Sequence, residues 1–186
     1  MTFRKTLIAA LCITGAAMAA DAPQGPQKTA PINACSLLTD AEVAAAIGAK
    51  VTPAQRKDEG DISESSGVKG AYSSTCFWKV ISDKPDNPDK PMGGATFAIL
   101  NAMQWPVGSG EAKKFLEGFY DAAKQGVIDQ KPVQLKIADD AIWWGDGVAV
   151  RKGDRSFGVS VFWPDKKREE RRTFEEALAR KIAPRL

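Results

Sequence analysis

The sequence predicts an α+β fold, a single layered domain with a mainly antiparallel sheet, about three packed helices and one disulfide. Runs of strand-like residues are joined by short turns, which favours antiparallel pairing between neighbours. Segments with apolar residues at helical spacing separate these runs, as in a layered α+β domain. The predicted order is helix, three strands, helix, four strands, helix, within a chain of 186 residues.

Residues 1–19 are predicted to be a signal peptide. Arg4 and Lys5 precede an apolar run over 7–15, and Ala-Met-Ala at 17–19 supplies a small-residue cleavage site. The apolar run is shorter than the roughly 20 residues that span a bilayer. We therefore expect a periplasmic or secreted protein. Loss of the two basic residues would lower the net charge from +3 to +1. A nearly neutral chain lacks the excess positive charge that favours nucleic-acid binding.

The cysteines predict one disulfide. Leu11 precedes Cys12, where lipid attachment requires a small residue, so Cys12 is interpreted as part of the discarded leader. The remaining pair, Cys35 and Cys76, is expected to be bonded in an oxidising compartment. Two free thiols are the alternative. A metal site is weaker still, because no histidine is present to complete it.

The domain is expected to span 33–186. The preceding segment, 20–32, contains three prolines among polar residues and is predicted to be flexible. The first helix is predicted over 40–47. Thr39 and Glu42 form a capping box, and Gly48 provides the stop.

The other elements follow from composition and alternation. Strands are predicted over 50–56, 74–81, 94–103, 133–137, 141–144, 148–151 and 156–163, and helices over 109–124 and 167–182. The segments 57–70 and 82–91 are interpreted as loops. In the second loop Asp83, Asp86 and Asp89 recur every three residues. Polyproline II geometry would space them by about 9 Å, which favours a solvated loop over a cation site.

The absence of histidine excludes many catalytic sites. Ser-His-Asp and Cys-His nucleophilic sites, and most zinc sites, require it. A carboxylate pair is still available, because Asp139, Asp140 and Asp146 flank two tryptophans. We favour turn roles for these aspartates over catalysis. No catalytic, cofactor-binding or metal-binding residue is assigned.

Three tryptophans are the candidate partner-binding residues. Trp143 and Trp144 are adjacent in a predicted strand and must point to opposite faces of the sheet. If only one face forms the core, one indole lies outside it. We favour cover of that indole by a helix, and a partner-binding aromatic patch is the alternative. Trp105, followed by a proline in a predicted loop, is the third candidate.

Several motifs resemble a family of small exported bacterial domains of unknown function, many of them lipoproteins. These motifs are Cys-Ser-Leu-Leu-Thr-Asp-Ala-Glu-Val at 35–43, Ile-Gly at 47–48, Cys-Phe-Trp at 76–78, Ala-Asp-Asp-Ala-Ile-Trp at 138–143 and Val-Ala-Val-Arg-Lys-Gly-Asp at 148–154. The resemblance implies a compact, disulfide-linked α+β domain without established chemistry. The chain departs from the lipoproteins by lacking a lipid-attachment motif.

The leading functional hypothesis is an exported, non-enzymatic binding or interaction domain that acts on a protein or cell-envelope partner. Two alternatives are an exported carboxylate-dependent hydrolase and a structural envelope protein without a discrete ligand. We expect no cofactor, no nucleic-acid partner and no transmembrane segment.

Overall fold

One seven-stranded antiparallel sheet organises the computed structural model, which describes residues 31–81 and 94–186. The strands are β1 (Gln55–Asp61), β2 (Tyr72–Lys79), β3 (Phe97–Gln104), β4 (Val133–Leu135), β5 (Asp140–Trp143), β6 (Val148–Lys152) and β7 (Arg155–Phe162). Their order across the sheet is β1-β2-β3-β7-β6-β5-β4. Every neighbouring pair is antiparallel. The predicted α+β class with an antiparallel sheet is confirmed.

The described residues form four α-helices, where the sequence predicted about three. They are α1 (Asp40–Ile47), α2 (Ser63–Ser66), α3 (Glu111–Lys124) and α4 (Arg168–Ile182), with 3₁₀ turns at Ala34–Ser36 and Ala183–Arg185. The additional helix, α2, is a single turn inside the predicted loop 57–70. The predicted signal peptide, residues 20–30 of the predicted flexible segment and the loop with three aspartates lie outside the described residues. Ile32, at the end of that predicted segment, is buried in the core.

The first strand differs most from its prediction. Strand β1 begins at Gln55, not near residue 50, and continues through the polar residues to Asp61. Its side chains are almost all exposed, so its sequence carries no alternation of apolar and polar residues. Pairing with β2 makes it a strand, and a bulge between Asp58 and Gly60 interrupts that ladder. Charge and a bulge are common features of a protected sheet edge.

The predicted caps of α1 are confirmed. Thr39 Oγ1 accepts a hydrogen bond from the Glu42 amide at 3.2 Å, and Glu42 Oε2 accepts one from the Thr39 amide at 2.9 Å. Gly48 ends the helix in the left-handed region with a φ of 69°. A glycine suits this conformation because it has no Cβ to clash.

The two faces of the sheet are covered differently. Helices α1 and α4 and the first 3₁₀ turn pack together on one side, here called the closed face. Its buried residues include Trp78, Leu100, Val150, Phe157 and Val159. The predicted disulfide between Cys35 and Cys76 is confirmed and ties the first 3₁₀ turn to β2, with 5.0 Å between the Cα atoms. On the opposite side, here called the open face, α3 packs against β6 and β7.

Candidate interaction surface

Trp143 lies on the closed face and is buried. Only 2% of the residue is exposed, and its Nε1 donates a hydrogen bond to Glu175 Oε2 at 3.0 Å. The guanidinium of Arg172 lies 4.7 Å from the centre of the indole ring. The side chain therefore connects β5 to α4 inside the domain.

Trp144 packs on the other side of the sheet, beneath α3. Its ring stacks on Phe119 with 5.6 Å between centroids, and the residue is half-buried. The chain turns tightly beside it at Gly147. A Cβ at that position would lie 2.3 Å from Ser160 Oγ and 2.9 Å from the Val159 carbonyl oxygen, which leaves room only for glycine.

Trp105 is 9% exposed and donates from Nε1 to Ser156 Oγ at 3.0 Å. It forms a small second cluster with Ala71 and Ala112. The structure thus places the three predicted partner-binding tryptophans in three separate environments. Their binding role stays a prediction, and of the three Trp144 alone is only half-buried.

The three aspartates of the hydrolase hypothesis each have their own partner. Asp139 Oδ2 accepts from the Gly153 amide at 2.7 Å, Asp140 from Gln134 Nε2 at 2.6 Å, and Asp146 from Arg171 at 2.9 Å. The first two lie at the start of β5, and Asp146 follows its other end. These separate partners give no support for a paired-carboxylate site, in which two carboxyl groups face one substrate bond.

Metal binding finds no support in the described part of the chain, where no group of three or more candidate ligands could hold an ion. Three surface depressions have volumes of 460, 400 and 320 Å³. None of these three is lined by a tryptophan.

Glu175 is an ionisable residue in the closed core, and it was not singled out from the sequence. It is 0% exposed and accepts hydrogen bonds from Trp143 Nε1 at 3.0 Å and from the Val161 amide at 3.1 Å. Burial raises the pKa of its carboxyl group to about 7, although these two donors and the nearby Arg171 lower it. A signal was available, because Glu175 stands three and seven residues before the inward-facing Leu178 and Ile182.

Three phenylalanines form an aromatic row across the open face. Phe77 of β2, Phe97 of β3 and Phe162 of β7 lie side by side, with 5.0 and 5.1 Å between successive ring centroids. All three are half-buried. Ile99 pairs with Phe77 in the ladder and extends the apolar surface. Ile81, two residues beyond β2, is 54% exposed.

The surroundings of the aromatic row combine polar and basic groups. Asn101 Nδ2 donates to Ser73 Oγ at 2.9 Å and to Thr75 Oγ1 at 2.8 Å, on the same face of the sheet. Lys57 Nζ lies 5.7 Å from the centre of the Phe77 ring. The extensive helix contacts on this side are those of α3 with β6 and β7. Ser73 and Thr75 of this face are buried, whereas the phenylalanines of the aromatic row are half-buried.

No known protein family matches the chain, and neither a curated protein nor a solved structure matches it. Among the described residues, no helix combines the length and the apolar character needed to cross a membrane.

Proposed function

We propose that this protein is an exported, non-enzymatic binding domain that contacts a protein partner, in the periplasm or outside the cell, through the aromatic row. The disulfide supports such a location, because these bonds persist in oxidising compartments. The proposed function is the one expected from the sequence. The proposed contact surface is different, because it consists of the three phenylalanines and not of the tryptophans.

The alignment of Phe77, Phe97 and Phe162 carries this proposal. An isolated exposed apolar side chain is ordinary, whereas a contiguous apolar patch marks an interaction site. The central ring, Phe97, contacts the other two, so the row is continuous across three strands. Aromatic side chains are enriched at protein interfaces, since they bury a large area with little loss of conformational freedom.

The shape and charge of this surface favour a protein segment with apolar side chains next to acidic ones. A sheet face is broad, whereas small molecules are usually held in concave pockets. The ammonium group of Lys57 lies over the Phe77 ring and places positive charge beside the aromatic row. Complementary charge would speed encounter with an acidic partner and favour it over a basic one.

Site-specific photo-crosslinking in a periplasmic extract tests the proposal. A benzophenone amino acid replaces Ile81, beside the aromatic row, and in a matched control it replaces Val107, which is 90% exposed in the loop after β3. We expect a discrete crosslinked protein from position 81 and none from position 107. The identified partner, once purified, should bind the native domain at least about tenfold more tightly than the Phe97→Ser or Lys57→Glu variant.

The Val107→Ser variant, which also removes an exposed apolar side chain, should bind as tightly as the native chain. Circular dichroism and intact mass would verify that every variant is folded and disulfide-bonded. Equal crosslinking from both positions, or equal affinity of Phe97→Ser and the native domain, would exclude the aromatic row as the contact surface. A structural envelope protein without a discrete ligand predicts no crosslink specific to position 81.

A further inference from the structure

The largest of the three depressions, here called the α4 depression, is lined by the end of α4, the 3₁₀ turn that follows it and the segment before β5. Its volume is 460 Å³, which is within the range of small-molecule pockets. Ile137 and Ala183 give it an apolar lining, and both are buried. Lys152, Arg180 and Asp139 supply the charged groups. None of the lining residues belongs to the aromatic row.

Lys152, the last residue of β6, places an ammonium group at the α4 depression. Its Nζ donates to the carbonyl oxygens of Ala183 at 3.2 Å and Pro184 at 3.3 Å. Both acceptors are neutral, so no carboxylate among the described residues balances the charge of Lys152. An ammonium group has three N–H donors, and two of them are used here. The third is therefore available to a ligand.

Arg180 brings a second cation to the α4 depression from the last turn of α4. Its guanidinium donates to the Lys136 carbonyl oxygen at 3.3 Å and lies 3.5 Å from Glu176 Oε2. Glu176 also pairs with Arg172 at 2.8 Å. One carboxylate is thus shared by two guanidinium groups, which leaves an excess of positive charge beside the α4 depression.

The segment before β5 contributes one acidic residue and one unusual backbone conformation. Asp139 Oδ2 accepts from the Gly153 amide at 2.7 Å and lies 3.4 Å from Arg151 NH1, so its charge is offset within the domain. Ala138 has a φ of 49°, and it is the one non-glycine residue with positive φ in the described part of the chain. A Cβ makes this conformation unfavourable, and such strain clusters at ligand sites.

We propose that the α4 depression binds a small organic acid, with its carboxylate on Lys152 and Arg180 and its apolar body on Ile137 and Ala183. Cationic donors form charge-assisted hydrogen bonds with a carboxylate, and apolar contact adds to the affinity by removing surface from water. Inorganic phosphate fits less well. It has no apolar body to cover the lining, and its higher charge would be repelled more strongly by Asp139.

Nuclear magnetic resonance with benzoate as the probe tests the proposal. The amide signals of Ala138 and Ala183 report on the α4 depression, and the amide of Phe97 reports on the aromatic row. In about 0.1 M salt, which screens weak surface attraction, we expect the first two signals to shift together and saturate with a Kd on the order of 1 mM. Benzamide, which has the same shape without the charge, should bind at least about fivefold more weakly.

Two variants of α4 separate the site from general charge attraction. Arg180→Gln removes a lining cation whose side chain is 55% exposed, so the fold should be retained. Lys181→Gln is the matched control, because it removes the same charge from the next residue, which is exposed and does not line the α4 depression. We expect at least about fivefold weaker benzoate binding in Arg180→Gln and a change below about twofold in Lys181→Gln.

Four results would overturn the proposal. Shifts at Ala138 and Ala183 that grow without saturation would show that no site is present. Equal affinity for benzoate and benzamide, or equal affinity of the two variants, would show that the lining cations do not hold the carboxylate. Phosphate binding as tight as that of benzoate would exclude a role for the apolar lining. A larger response at Phe97 would place benzoate on the aromatic row.

Discussion

The two faces of the sheet differ in how deeply their side chains are buried, and β3 shows this difference most clearly. Ala98, Leu100 and Ala102 point to the closed face, and each is at most 1% exposed. The alternating residues Phe97, Ile99 and Asn101 point to the open face and are half-buried. Helices α1 and α4 and the disulfide lie on the closed face. On the open face, α3 packs against β6 and β7. Within the described residues, the larger hydrophobic core therefore lies on the closed face, and the aromatic row of the open face is only half-buried.

Truncation of Trp143 should give the largest loss of stability. Trp143→Ala removes a buried indole from the closed face and leaves Glu175 without one of its two donors. We expect the free energy of unfolding to fall by about 3 to 5 kcal/mol, measured by urea denaturation at pH 7. A loss below about 1 kcal/mol would mean that the closed face does not depend on this contact.

Removal of the disulfide should weaken the same face nearly as much. The bond joins residues separated by 41 positions, and the double variant Cys35→Ala/Cys76→Ala frees that loop in the unfolded chain. The expected loss is about 2 to 5 kcal/mol. Intact mass of the native protein before and after reduction should differ by two hydrogens, and two alkylatable thiols in the unreduced, denatured chain would contradict the bond.

The pH dependence of stability should reveal two carboxyl groups with opposite effects. The raised pKa of Glu175, about 7, means that its contribution is largest below pH 4.5 and that stability falls by about 3 kcal/mol as the pH rises through 7. Arg185 and the Thr39 amide lower the pKa of Glu42 to about 2, so its contribution is present above pH 4.5 and is lost as the pH falls toward 2.

Denaturation between pH 2 and 9 would separate these two contributions. Glu175→Gln should remove the fall in stability between pH 5 and 8. Arg185→Gln should lower stability above pH 4.5 and weaken the dependence of stability on pH below 4.5. A native curve that rises between pH 5 and 8 and is unaffected by Glu175→Gln would contradict the assignment.

Neighbouring residues of β3 provide the smallest and most direct comparison of the two faces. Leu100→Ala creates a cavity in the closed core and should cost about 2 to 5 kcal/mol. Ile99→Ala, one residue earlier on the open face, should cost about 2 kcal/mol less, because its side chain is already partly hydrated. Equal losses in denaturation of the two variants would show that the open face is as well packed as the closed one.

The parts of the fold that were predicted correctly depend on short-range physics. The capping box of α1 requires only Thr39 and Glu42 three positions apart, so it could be read directly from the sequence. Strand β1 was misplaced because its polar residues have no apolar pattern, and its ladder with β2 defines it. Helix α3 was predicted from residue 109 but begins at Glu111, with Gly110 in the N-cap position.

The sequence by itself determined the class of fold, the first helix, the single cysteine pair and the exclusion of histidine chemistry. Each of these depends on composition, on local spacing or on the alternation of a strand. The tertiary structure alone decided which strands are neighbours. The order β2-β3-β7 brings residues 77, 97 and 162 into one aromatic row. It also decided that α4 buries Glu175 against Trp143 and Val161. These contacts join residues far apart in the chain, and long-range pairing depends on the packing of the whole sheet, which local preferences do not specify.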